Sequence, residues 1–214
     1  MNVIQYAEYF TYLPPILLSV GVSIGLYSFK RLNSTTRFFF SYIVGNLLID
    51  LSSRILSEVH NNNLILFFFV GLLDILIFSL FYYKYVKKKK LIVLIGTMAV
   101  GFIIIEFLKI NIKDVISFQQ YSNVVVSFAI ISMSLSFFSD QLTLKYDIPV
   151  YVRFFNFVWL FYFAFQLIFL LPLNFLINED LTMVLVIWGL WLIVLSTFYS
   201  VIIYLIWQNG NIRN

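Results

Sequence analysis

The sequence predicts an all-α integral membrane protein, a bundle of seven transmembrane helices with the N-terminus outside and the C-terminus cytoplasmic. Three observations predict it. Hydrophobic residues make up 62% of the 214 residues and charged ones 11%, where a soluble domain carries about 25% charge. Mean hydropathy is +0.95, so the polar surface that faces water is missing and the solvent must be lipid. The apolar residues fall into seven long runs, and Lys and Arg divide unequally between the connections.

A helix needs about 20 mainly apolar residues to cross the hydrocarbon. The first run is Tyr12–Phe29, with Pro14 and Pro15 in its first turn, where a missing N–H does no harm. Its Gly21-Val-Ser-Ile-Gly25 spacing permits close helix approach, either inside the bundle or in a dimer. The second run is Phe38–Leu56 and the third Leu64–Tyr83. The tetralysine Lys87–Lys90 separates the third from the fourth, Leu91–Leu108. Ile116–Phe138 and Val152–Leu171 are the fifth and sixth. The seventh, Leu181–Trp207, is the longest and must tilt or project beyond the hydrocarbon. The runs are continuous rather than alternating, which excludes barrel strands. Connections are short and no soluble domain is inserted, so the sequence reads as one transmembrane domain over residues 1–214. The N-terminus lacks the basic region and cleavage site of a signal peptide, and no processing is expected.

Orientation follows from the retention of Lys and Arg on the cytoplasmic side. With the N-terminus outside, the inner side holds Lys30, Arg31, Arg37, Lys84, Lys87, Lys88, Lys89, Lys90, Lys145, Arg153 and Arg213. The outer side keeps Arg54, Lys109 and Lys113. Acidic Glu8, Glu58, Asp114, Glu179 and Asp180 also fall outside. Lys87, Lys88, Lys89 and Lys90 serve topology, or contact anionic lipid or a cytoplasmic partner, where each basic residue gains roughly 1 kcal/mol. Trp159, Trp188, Trp191 and Trp207 are expected to be partly interfacial, with Tyr204 and Trp207 in the inner belt.

Composition excludes several chemistries. There is no cysteine, hence no disulfide, thiol catalysis or thiolate metal site, and the single His60 makes a zinc site unexpected. The seventh helix has no lysine for a retinal Schiff base, and phosphate loops and nucleophile elbows are lacking. No cofactor, metal, catalytic residue or nucleic-acid partner is expected. Arg54-Ile-Leu-Ser-Glu-Val-His60 has a spacing met in some RNA-cleaving helical domains, but it would lie outside the cell and is loose enough to arise by chance.

Intramembrane ionisable groups are costly and mark functional sites by default. Asp50, Asp74 and Glu106 qualify. At about 1.5 Å of rise per residue, Asp74 lies near the bilayer centre, while Asp50 and Glu106 lie roughly 20 Å from the inner boundary. Asn46, Asp50 and Ser53 share a face of the second helix, with Arg54 one turn beyond Asp50. Gln120, Asn123, Ser127 and Ser134 form a stripe on the fifth, and Gln166 with Tyr162 lies on the sixth. Converging, these faces would enclose a polar cavity in the outer half of the bundle. Against that stand structural readings: an Asp50–Arg54 pair at i,i+4, Glu106 at the interface beside Lys109, and Ser and Asn as interhelical hydrogen-bond glue. Asp74 has no basic partner on its own helix, so it needs a donor from another.

Phe69-Val-Gly-Leu-Leu-Asp-Ile-Leu-Ile-Phe-Ser-Leu-Phe-Tyr-Tyr83 resembles the third helix of small, uncharacterised seven-helix proteins from Bacteroidetes. In those an acid is followed five positions later by Ser, here Asp74 and Ser79; the Pro that often precedes the acid is missing. The serine-rich fifth helix ending in Phe137-Phe-Ser-Asp-Gln-Leu142 and the aromatic sixth are similar in style. The resemblance implies the architecture and a bacterial inner membrane, and brings no activity with it. In size and style the chain is also similar to membrane proteins encoded beside bacterial defence effectors, including type VI CRISPR accessories.

The function expected is a non-enzymatic sensor, regulatory or accessory subunit. It would read a small polar or cationic ligand in the outer cavity and couple through the basic inner loops to a cytoplasmic or membrane partner protein. The alternatives are a proton- or cation-coupled small-solute transporter with Asp74 as coupling acid, an accessory of a bacterial defence system, and an oligomeric pore.

Overall fold

The computed structural model describes residues 10–60, 62–109, 121–144, 148–176 and 181–211. Among them are seven long α-helices and no strand: α1 (Leu13–Ser28), α2 (Ser34–His60), α3 (Leu66–Tyr85), α4 (Lys89–Lys109), α5 (Tyr121–Leu144), α6 (Val150–Leu176) and α7 (Leu181–Asn211). Each is long and apolar enough to cross a membrane, as befits a multi-pass membrane protein.

Large apolar side chains are exposed along every helix, among them Leu26, Leu48, Leu76, Met98, Phe128, Ile168 and Ile193. On this scale such exposure belongs to a surface facing hydrocarbon. Lipid is as apolar as leucine, so burying these side chains gains little, and helices must be held by close packing and hydrogen bonds. The helices form two compact units, Met1–Leu66 with Phe175–Asn214, and Phe67–Asn174.

In the first unit, α1 packs on α2 and α7, and glycines permit the approach. A Cβ at Gly21 would stand 2.7 Å from Ile203 Cγ1 and 3.1 Å from Ile43 Cγ2. One at Gly25 would enter the ring of Phe40, and one at Gly210 would lie 2.5 Å from Ser28 Cβ. The Gly-xxx-Gly face is therefore filled within the chain, which decides for bundle packing over a dimer. Prolines occupy the first turn of α1, as the sequence predicts. A 3-10 turn, Phe29–Arg31, leads to α2. There Asn33 Oδ1 accepts the N–H of Thr36 at 2.8 Å, an N-cap that starts the helix at Ser34, ahead of the expected Phe38.

The second unit is built around an aromatic core. Trp159 is fully buried, stacked on Phe155 at 5.3 Å and edge-on to Phe78 at 5.0 Å. That corrects the interfacial placement expected of Trp159: its neighbours are rings, and Phe78 also meets Phe163 at 4.9 Å. Trp207 and Tyr204, half exposed and 6.1 Å apart, keep the character of a belt pair. On α4 the buried positions Ile92, Gly96, Ala99 and Ile103 recur at three- and four-residue spacing, one narrow stripe on an otherwise lipid-facing helix. A Cβ on Gly96 would stand 2.8 Å from Ser79 Oγ, so α3 and α4 touch there.

Several ends differ from the sequence reading. α4 begins at Lys89, so half of the tetralysine is helical and the connection shrinks to Val86–Lys88. α5 runs past Phe138 to Leu144, while its expected start at 116–120 lies outside the described residues. α6 continues through Pro172 to Leu176 instead of stopping at Leu171. α7 has 31 residues, about 46 Å at 1.5 Å per residue, and overshoots the roughly 30 Å hydrocarbon as expected.

Candidate functional site

The polar side chains of the first unit are tied to one another. Arg54 Nε donates to Asp50 Oδ2 at 2.9 Å, the i,i+4 pair that the spacing allows. Arg54 Nη2 donates to the Thr11 carbonyl at 2.7 Å, and the guanidinium lies 5.2 Å from the centre of the Tyr12 ring. The planar fork thus ties α2 to the chain leading into α1, satisfying a backbone oxygen besides the carboxylate. Both partners are about a third exposed. Asn46 is buried; its Nδ2 donates to the Tyr42 carbonyl at 3.0 Å and its Oδ1 accepts from the Tyr199 hydroxyl at 3.1 Å. Asn63 Nδ2 donates to Ser53 Oγ at 2.7 Å.

In the second unit Asp74 is 1% exposed, on the α3 face that also carries buried Gly71 and Phe78. Asn123 of α5 lies over Gly71: a Cβ there would stand 2.6 Å from Asn123 Oδ1. The missing side chain at Gly71 therefore lets an amide approach α3 one turn from the acid. Gln166 is buried on α6, and its Oε1 has no hydrogen-bond donor among the described residues. Gln120 lies outside the described residues, as do Lys113, Lys145, Arg213, Glu8, Asp114, Glu179, Asp180 and the side chain of His60.

Glu106 closes a helix end. Its Oε1 accepts the N–H of Tyr121 at 3.0 Å and its Oε2 that of Ser122 at 2.6 Å. A carboxylate at the start of α5 satisfies two donors that have no intrahelical partner, and it complements the positive end of the helix dipole. Glu106 is half-buried, and this geometry gives it a partner that neither Lys109 nor a ligand supplies.

Serine and threonine hydroxyls mostly bond within their own helix. Ser127 donates to the Asn123 carbonyl at 2.8 Å, Ser132 to Phe128 at 2.8 Å and Ser136 to Ser132 at 2.9 Å. Ser19, Ser23 and Ser28 do the same on α1. These hydroxyls of α5 are therefore satisfied without a second helix, while the interhelical glue that the sequence suggested is supplied by asparagines that accept tyrosine hydroxyls, Asn46 from Tyr199 and Asn156 from Tyr82.

Other polar positions were not singled out by sequence reasoning. Buried Tyr82 donates its hydroxyl to Asn156 Oδ1 at 2.8 Å, joining α3 to α6. Asp140 of α5 is 8% exposed, and its Oδ2 accepts the Lys87 backbone N–H at 2.7 Å. The acid in Phe-Phe-Ser-Asp-Gln-Leu was the available signal, since a carboxylate at the end of a helix opposite a basic turn is a natural acceptor.

Two pockets open on the first unit. One, of about 620 Å³, is lined by Leu32, Asn33, Ser34, Arg37, Phe38 and Ser41; the other, of about 350 Å³, by Ser23, Ile24, Tyr27, Ser28, Trp207 and Asn211. Neither includes an acid, and both lie where α1 ends, away from Asp50 and Arg54.

No protein-family model, curated protein or solved structure matches this chain.

Proposed function

We propose that the chain is a multi-pass protein of a bacterial inner membrane, N-terminus outside, acting as a non-enzymatic sensor, regulatory or accessory subunit of a partner protein. The observation that carries this reading is the contrast between engaged interior groups and an exposed basic end. Asp50, Arg54, Asn46 and Glu106 are bonded within the chain, while Lys87, Lys88, Lys89 and Lys90 are all exposed. Polar groups bonded in this way hold the fold together. The exposed cations are what a second molecule would meet, and in the proposed orientation they face the cytoplasm. Asp74, with Asn123 one turn away, supplies the buried polar element through which a proton or small cation would bias the second unit.

The test is to tag the C-terminus, crosslink in native membranes, and identify what co-purifies. A partner at stoichiometric amounts supports the accessory reading; a clean monomer or homo-oligomer counts against it. Orientation is tested separately. The chain has no cysteine, so a single cysteine at Lys88 or Glu58 reports its side by reaction with an impermeant maleimide. Labelling of Glu58→Cys but not Lys88→Cys in intact cells is expected.

One observation favours a second reading, a proton-coupled transporter of a small solute: Asp74 is 1% exposed in the middle of a spanning helix, and Gln166 is buried in the same unit. Uptake into proteoliposomes driven by a pH gradient, and abolished by Asp74→Asn, would favour transport over regulation.

A further inference from the structure

We infer that the Lys87–Lys90 turn, positioned by Asp140, is a binding site for the headgroup phosphate of an anionic phospholipid. Four features of the turn carry the inference. Lys87, Lys88, Lys89 and Lys90 are exposed, with exposed Lys84 one turn earlier. Two of these cations lie over rings: Lys89 Nζ is 5.0 Å from the centre of the Tyr83 ring and Lys84 Nζ 5.3 Å from that of Tyr85. Lys88, Lys89 and Lys90 form no ion pair among the described residues. Finally, Asp140 reaches the turn through its backbone, accepting the Lys87 N–H at 2.7 Å from a buried position on α5.

That last contact makes the turn more than a run of charge. The connection between α3 and α4 is only Val86–Lys88. It is closed by Val86 N–H donating to Tyr82 O at 2.8 Å and Leu91 N–H to Lys88 O at 2.9 Å. Asp140 holds the Lys87 amide and so restrains the backbone from which the exposed lysines extend. Carried on four consecutive residues, the ammonium groups repel one another, and an anion relieves that repulsion.

The occupant follows from the level of the turn. It joins two helices that are each long and apolar enough to span, so its lysines leave the hydrocarbon among the headgroups. Tyr83, 44% exposed, is the amphipathic ring that marks such an interface. An anionic phospholipid offers phosphate at that depth on either face, so the inference stands apart from the orientation proposed above. A basic cluster at a charged bilayer surface gains about fivefold in affinity per residue.

The experiment is native mass spectrometry of the full chain purified with equal amounts of phosphatidylglycerol and phosphatidylcholine, reading the ratio of retained lipids. Preferential retention of phosphatidylglycerol is expected, falling by up to about 25-fold in a Lys88→Gln/Lys90→Gln variant. Lys109→Gln, which removes a single charge at the opposite end of α4, leaves it unchanged, whereas Lys88→Gln alone, the same change of charge at the turn, lowers it. Asp140→Ala discriminates further. It raises the net charge, so a site made of charge alone would hold the anionic lipid more tightly; a positioned site holds it less tightly. Exposed lysine variants keep the inference open to test even if Asp140→Ala fails to fold. Millimolar inorganic phosphate should not displace the lipid, because the lipid's chains stay on the exposed apolar surface of the helices, a contact that free phosphate lacks. Equal retention of both lipids, insensitivity to the lysine changes, a gain in Asp140→Ala, or displacement by free phosphate would each overturn the inference. So would a soluble acidic protein bound through these lysines with the lipid ratio unaffected.

Discussion

Replacing Gly25 by alanine and Gly101 by alanine makes the same chemical change in two spanning helices, and the structure predicts opposite signs. Alanine relieves the intrinsic penalty of a helical glycine, about 1 kcal/mol in water. At Gly101 nothing lies within 4 Å of the new Cβ, so Gly101→Ala should be neutral or stabilising by up to about 1 kcal/mol. At Gly25 the Cβ would fall within the ring of Phe40, itself 6% exposed and edge-on to Phe29 at 5.6 Å. The ring cannot swing aside without breaking that contact, and overpacking of this kind costs about 1–3 kcal/mol. The net expectation is a loss of up to about 2 kcal/mol. Thermal or denaturant unfolding in mild detergent reads the two variants side by side. Phe40→Leu in the Gly25→Ala background should return part of the loss, a coupling that a double-mutant cycle isolates. A Gly25→Ala variant as stable as Gly101→Ala would refute the packing argument. A change of oligomeric state with stability intact would refute it too, by restoring the dimer face.

Glu106→Ala should cost about 0.5–2 kcal/mol, the range for losing a helix N-cap. It should also speed hydrogen exchange at the Tyr121 and Ser122 amides, while Glu106→Gln, which keeps an acceptor oxygen, should do less. Tyr199→Phe leaves Asn46 Oδ1 without its hydroxyl donor and should cost about 0.6 kcal/mol, the average for hydrogen bonds in membranes, and at most about 1.7; an unchanged unfolding midpoint would count against it. Asp50→Asn should cost only about 0.3–0.5 kcal/mol, since the pair is partly exposed. Arg54→Ala should cost more, because the Thr11 carbonyl loses its donor as well. Asp74→Asn should shift stability or the activity assayed for any partner or solute; a variant indistinguishable from wild type in both would remove Asp74 from either proposed role.

The architecture was legible in the sequence because a bilayer imposes a one-dimensional rule. Any run of about 20 apolar residues must satisfy its backbone internally and so becomes a helix. Seven runs gave seven helices, and the Asp50–Arg54 pair could be read the same way, since i,i+4 contacts are local. The helix ends were harder to read. The cap at Asn33 and the extension of α4 into the lysines depend on single side chains. Which partner the glycines and the other polar residues meet was decided only by tertiary structure. Gly21 and Gly25 could serve a dimer or the bundle until Ile203, Ile43 and Phe40 were seen against them. Glu106 was a candidate ligand until the start of α5 was found on its carboxylate. Asp140 drew no attention until it met the backbone of Lys87, 53 residues away. Hydropathy is a property of each residue and adds up along the chain. A hydrogen bond between helices is a property of two distant residues, and only the fold brings them together.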